Sequence, residues 1–195
     1  MRTSAIARTN RETDIELALS LDGSGKTDID TGVGFFDHML DAMCRFAQVD
    51  LTLRCKGDLA VDAHHTVEDV GMCIGKAIRE ALGDRAGIRR AGSAYMPMDE
   101  ALAFAALDIS GRPYLAYQAE FAAPMCGTMD TQLAEEFFRA VCVQGGLTLH
   151  LQLMAGRNDH HKMEAMFKAF GLALRDAAAY DARITGVLST KGMLD

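Results

Sequence analysis

Asp159-His160-His161-Lys162-Met163-Glu164 has an earlier counterpart in Ala63-His64-His65-Thr66-Val67-Glu68. Each copy reads His-His-x-x-Glu. On an α-helix of about 3.6 residues per turn, the first histidine and the glutamate, four apart, share a face, while the second histidine points about 100° away. Each copy therefore offers an imidazole and a carboxylate to one site and a second imidazole to another, a pattern for building two metal centres rather than closing one. Mixed nitrogen and oxygen donors suit manganese, iron or zinc, whereas all-oxygen sets suit magnesium or calcium. The spacing is not that of the zinc-protease helix His-Glu-x-x-His, where both imidazoles share a face. A lone His-His pair carries little weight, but its repetition in register does.

Working outward, a shift of 96 residues lays Leu51-Thr52-Leu53 on Leu147-Thr148-Leu149, and Gly75, Ala77, Arg79 and Ala81 on Gly171, Ala173, Arg175 and Ala177. Agreement across a strand and its following helix is what a duplicated supersecondary unit leaves. Alternating apolar residues predict strands over 15–21, 49–54, 101–109, 114–121 and 147–153. Helical spacing predicts helices over 39–46, 64–82 with Gly83 as its stop, and 131–143. Residues 83–92 read as a linker containing Arg85, Arg89 and Arg90. The expected fold is α/β (α+β), one compact unit of two similar halves, 1–92 and 93–195. His38 stands at the start of the first helix. Glu136 lies two residues beyond the position 96 after His38, so spacing alone fits either the duplicated partner of His38 or a plain solvated glutamate. His150, on the polar face of its strand, reads as a surface or subunit contact.

Composition narrows the class. With 195 residues, 49% of them hydrophobic and only three prolines, the chain can bury a core and is not disordered. A net charge of −7 gives no reason to expect nucleic acid or an anionic membrane as partner, so an anionic small substrate would need local arginines and lysines. No apolar run approaches the roughly 18 residues of a spanning helix and no signal peptide opens the chain, which predicts a cytoplasmic protein. Five cysteines without a CxxC pair read as reduced, mostly buried thiols.

Four blocks in order resemble imidazoleglycerol-phosphate dehydratase, the histidine-biosynthesis lyase: residues 34–41 (GFFDHMLD), 62–71 (DAHHTVEDVG), 156–170 (GRNDHHKMEAMFKAF) and 189–192 (STKG). The resemblance implies two α/β halves, each a four-stranded sheet backed by helices. It also implies a 24-subunit shell with active sites between subunits and two manganese ions in each. Matched to the family motifs, the metal ligands would be His38, His64, His65, Glu68, His160, His161 and Glu164, with Glu136 completing the set. Many members have histidine where Glu136 stands, a departure that leaves its coordination open. Glu12, on an N-terminal segment expected to be mobile, Glu68 and Glu164 would carry protons. Arg90, Arg112, Lys168, Lys191 and the Ser189 hydroxyl would hold the substrate phosphate.

The implied reaction can be argued chemically. In imidazole-CH(OH)-CH(OH)-CH2-phosphate the C–H to be removed has no neighbouring carbonyl, so direct base-catalysed elimination faces a large barrier. Cations at both ring nitrogens would stabilise the imidazolate, by the electrostatics that lower the pKa of metal-bound water. The electron-rich ring then expels the adjacent hydroxyl as a diazafulvene forms, and proton loss gives the enol and finally imidazole acetol phosphate. Two rival readings are a metal-stapled assembly or storage module without catalysis, which leaves the basic residues unexplained, and a dinuclear phosphohydrolase, whose sites favour aspartates over histidines.

Overall fold

In a computed structural model describing residues 1–194, the duplication is visible as two four-stranded sheets of the same strand order. The first contains β1 (Thr3–Thr9), β2 (Thr13–Ser20), β3 (Thr27–Asp30) and β4 (Asp50–Gly57), ordered β1-β2-β4-β3. The second contains β5 (Ala91–Met98), β6 (Ala101–Asp108), β7 (Tyr114–Gln118) and β10 (Thr148–Ala155), ordered β5-β6-β10-β7. In both, three strands are antiparallel and the last edge strand is parallel to its neighbour. A small hairpin, β8 (Met125–Cys126) with β9 (Met129–Asp130), stands apart.

Central strands β2, β4, β6 and β10 follow the alternation expected of them, with Ile15, Leu17, Leu19, Leu51, Leu53, Leu149 and Leu151 buried on one face. Edge strands β1, β3 and β5 were not expected. The stretch read as a linker ends inside β5, whose Pro97 is tolerated because an edge strand leaves one row of N–H groups unpaired. Helices α1 (Gly34–Ala47), α2 (His64–Leu82), α3 (Leu133–Gly145) and α4 (Asp159–Ala178) complete the chain. Helix α1 starts five residues before the expected 39, and two glycines, Gly32 at φ 77° and Gly34, bring the chain into it.

A uniform shift of 96 does not survive in three dimensions. Leu19 faces Leu51 and Leu107 faces Leu149, so β2 maps on β6 with an offset of 88 (19 to 107) and β4 on β10 with 98 (51 to 149). After each left-handed helix cap, Val49 N–H donates to Cys44 O and Leu147 N–H to Cys142 O, which sets α1 on α3 at 98 as well. The ten residues gained before α3 include the β8–β9 hairpin. Two residues are lost after β10, which restores 96 for His64 on His160. Leu51 thus corresponds to Leu149 rather than Leu147, and Glu136 falls on His38 without a gap.

The halves exchange helices. Helix α2 lies on the first sheet and α4 on the second, but α1 packs on α4 and α3 packs on α2. Contact is close because glycine faces backbone: a Cβ on Gly75 would lie 2.5 Å from Val141 O, and Gly171 meets Met43 O in the equivalent way. Phe36 of α1, Phe137 and Phe138 of α3, and Phe167 and Phe170 of α4 join ring to ring at 4.8–5.5 Å, in one core shared by both sheets. Gly75→Ala is expected to cost about 1–3 kcal/mol through overpacking. Urea unfolding would measure it, and an unchanged midpoint would show that the α2–α3 contact can yield.

Candidate metal centre

The helix exchange places His38 of α1 over the start of α4. His38 Nε2 lies 3.2 Å and His160 Nε2 3.1 Å from the same oxygen, Glu164 Oε2. One donor atom from each of the three lies within 4.8 Å of the others, and among the described residues no other three such groups gather as tightly. Glu164 is the buried member, while both imidazoles are nearly half exposed. Its second oxygen takes the Lys168 ammonium at 2.5 Å. Burial opposes ionisation of Glu164, but Lys168 and then His38 hold its carboxyl below the ordinary range. The Phe35 ring packs edge-on against His160, with centroids 5.1 Å apart. Two imidazole nitrogens and a carboxylate fit a first-row divalent ion of mixed nitrogen and oxygen preference, and three protein donors leave coordination positions open.

Local sequence sets the helix starts. Asn158 accepts from His160 N at 2.9 Å as the side-chain cap of α4, and Asp62 accepts from His64 N at 2.7 Å ahead of α2. The Asp159 side chain is largely covered beside this cap, receiving Lys162 Nζ at 2.8 Å, Ala123 N at 2.7 Å and Ala122 N at 3.0 Å. Burial raises its pKa, but Lys162 and the two N–H groups outweigh burial and leave it lowered. Its stabilisation is therefore complete above about pH 4 and is lost as pH falls through the lowered folded-state value. Asp159→Asn is expected to flatten the acid limb of a plot of urea midpoint against pH. An acid limb as steep as that of the parent protein would contradict this.

The counterpart cluster on α2 and α3 is looser. His64 Nε2 is 3.8 Å from Glu68 Oε2, and both are well exposed. Glu136 takes the place of His38 in the fold, yet its ion pair is with Arg139 of its own helix at 3.6 Å. His64 also lines a cavity of about 470 Å³ with Gly32, Asp62, Asp130 and Gln132. The second histidines splay away, each with its own carboxylates. His65 Nδ1 is 3.0 Å from Asp58 and its Nε2 3.7 Å from Glu12. His161 Nδ1 is 2.9 Å from Glu100 and its Nε2 3.9 Å from Asp99. Donating a hydrogen bond to Asp58 raises the His65 pKa, and donating one to Glu100 raises that of His161.

Glu12 does not sit on a loose terminal segment. It lies in the turn between β1 and β2, where Asn10 Oδ1 accepts from Glu12 N and Thr13 N at 2.7 Å each and Asp58 N donates to Glu12 O at 2.9 Å. Buried Asp69 holds that turn on α2 through Arg8, Asn10 and Thr13. Of the expected phosphate ligands, Arg90, Arg112, Ser189 and Lys191 line one cavity of about 720 Å³ under the C-terminal segment, together with Arg183. Arg90 is fixed there by Asp108 at 2.7 Å and Leu188 O at 2.8 Å. Lys168 is not among the lining residues, being held by Glu164 and lying 5.1 Å from the centre of the Phe46 ring. His150, outside these clusters, stacks obliquely near Tyr114. Asp58, Asp99 and Glu100 were not expected. Acidic residues in turns are ordinary, and only the offset of 88 that lays Glu12 on Glu100 would have drawn attention to one of them.

A sequence model of the imidazoleglycerol-phosphate dehydratase family matches residues 31–174. The imidazoleglycerol-phosphate dehydratase of Symbiobacterium thermophilum is 58% identical over 193 residues, covering 99% of this chain and 93% of its own length. That of Acidiphilium cryptum is 58% identical over 194 residues, covering 99% of each. Among solved structures, the Staphylococcus aureus dehydratase superposes with a TM-score of 0.84 at 40% identity, over 92% of this chain and 99% of its own. The Pyrococcus furiosus enzyme superposes at 0.83 and 34%, over 97% and 100%. Backbone superposition and residue identity agree across nearly the whole length, and the chain belongs to the imidazoleglycerol-phosphate dehydratase family.

Proposed function

We propose that this chain removes water from imidazoleglycerol phosphate in histidine biosynthesis, as a carbon–oxygen lyase that uses manganese, two ions in each active site. The observation that carries the reading is the convergence of His38, His160 and Glu164 in a member of this family. His38, His160 and Glu164 would hold one ion, and His64, Glu68, His65 and His161 supply further donors, with Glu136 as a candidate. When bound, manganese would supply positive charge against the ring nitrogens of an azole.

The side chains supply the remaining work. Arg90, Arg112, Ser189 and Lys191 offer a basic cavity for the phosphate, and Lys168 adds an ammonium beside the metal cluster. Glu12, half exposed and 3.7 Å from His65 Nε2, would take the side-chain proton and return it when the enol becomes the ketone. Glu68 and Glu164 are the other carboxylates available for proton transfer. Because the His65 and His161 pairs point away from the His38 cluster, completion of the sites by neighbouring subunits of a 24-mer fits this arrangement. A cytoplasmic location accords with five unpaired thiols, four of them buried.

Incubation with imidazoleglycerol phosphate should yield an enolisable ketone with its phosphate retained. Release of inorganic phosphate instead would favour a phosphohydrolase. Glu12→Gln is expected to lower kcat by about 10²- to 10³-fold while leaving manganese binding intact. Wild-type turnover in that variant would remove Glu12 from the chemistry.

A further inference from the structure

We infer that Glu100 is a positioning residue for His161, and Asp58 for His65, each fixing its ring in the tautomer that carries a proton on Nδ1 and leaves the Nε2 lone pair free for a metal ion. This rests on the metal reading above. An ionised carboxylate only accepts hydrogen bonds, so the ring nitrogen facing it must be N–H, and in a neutral imidazole the other nitrogen is then the lone-pair donor. Glu100 Oε2 faces His161 Nδ1 at 2.9 Å. Its Oε1 is already occupied by Asn158 N at 2.7 Å and Arg157 N at 3.0 Å, which ties the carboxylate to the loop that starts α4. Asp58 presents Oδ2 at 3.0 Å and Oδ1 at 3.2 Å to His65 Nδ1. Partners of this kind orient ligand histidines and raise their basicity.

The two halves reach this arrangement by different routes. Glu12 and Glu100 occupy the same place in the fold, at the turn ahead of β2 and of β6. In the second half that glutamate orients the histidine. In the first half the loop after β4 is two residues longer and supplies Asp58, where Gly156 follows β10. Asp58 holds Nδ1, and Glu12 lies on the Nε2 side instead at 3.7 Å. The extra loop residues thus release Glu12 from orienting the ring, leaving it available as a proton carrier.

Glu100→Gln is a sharp test because its geometry is over-determined. Oε1 must stay a carbonyl to satisfy two N–H groups, so the new amide NH2 faces Nδ1 and forces the proton onto Nε2. In metal-free protein labelled with ¹⁵N-histidine, the His161 resonances should switch to the Nε2–H tautomer. A Mn²⁺ titration read by the electron paramagnetic resonance of free ion should show about 10- to 100-fold weaker binding, with the metal-free melting temperature unchanged. An unchanged tautomer with wild-type affinity overturns the inference, and a lower melting temperature with both unchanged would make Glu100 a loop anchor only. Failure of the wild-type protein to bind Mn²⁺ would instead sink the metal reading, which the tautomer measurement does not depend on. If Glu100→Gln does not fold, Asp58→Ala read at His65 decides. Mixed tautomers and a similar loss of affinity are expected there, and wild-type behaviour overturns the proposal.

Discussion

Stripping divalent metal with a chelator is expected to abolish conversion of imidazoleglycerol phosphate to its ketone and to disperse the proposed 24-subunit assembly, and added Mn²⁺ is expected to restore both. The substrate's C–H is not acidified by any carbonyl, and no side chain at the site can match a divalent cation in drawing negative charge onto an azole. Assembly should follow activity because the His65 and His161 groups face away from the His38 cluster, where they would be bridged only by ions shared between subunits. Product formation and light scattering, followed through chelation and reconstitution, would measure the two together. Full activity in metal-free protein would reject the proposed chemistry, and a metal-free assembly of unchanged size would confine the ions to catalysis.

Glu164→Gln is expected to lower kcat/KM by about 10⁴-fold or more, a larger loss than the 10- to 100-fold typical of outer partners, because the proposed function makes Glu164 itself a metal ligand. Its one side chain meets His38 and His160 through Oε2 and Lys168 through Oε1. A neutral amide keeps the shape but presents either an oxygen to the histidines or an NH2, and it removes the negative charge that faces Lys168. Leaving a buried ammonium without its counter-charge costs stability as well, of order 3–5 kcal/mol for a fully buried pair and less here, where Lys168 retains some exposure. Titration with Mn²⁺ beside steady-state kinetics separates the effects. Normal metal binding with a normal rate would remove Glu164 from the site.

The sequence made the centre of each sheet and the edge strand β7 legible and left the other three edges obscure, for a physical reason. Strands β2, β4, β6 and β10 bury every second side chain against helices, so their apolar alternation is strong. Strands β1, β3 and β5 lie at sheet edges with much of their length exposed, and Thr27–Asp30 is too short and polar to announce itself. The helical periodicity of α2 and α4 fixed which histidine shares a face with which glutamate, as the 3.1 Å contact of His160 with Glu164 reflects. What periodicity could not supply was the exchange of helices, since His38 and Glu164, 126 positions apart, are brought together only by tertiary packing. The stepped offset of 88, 98 and 96 was hidden too, because insertions and deletions fall in loops, where apolar pattern is silent.

The exchanged helices bear on descent. An ancestral polypeptide of one unit would have carried its histidine-bearing first helix with only a narrow seat along the β3 edge of its own sheet, and the His-His helix with no imidazole above it. Only by embracing a twin could such a half-length molecule have covered its phenylalanines and brought donors from two chains to one point. Such a half-length molecule would have had to dimerise before these donors could meet, and fusion of the twin genes would have made that association permanent.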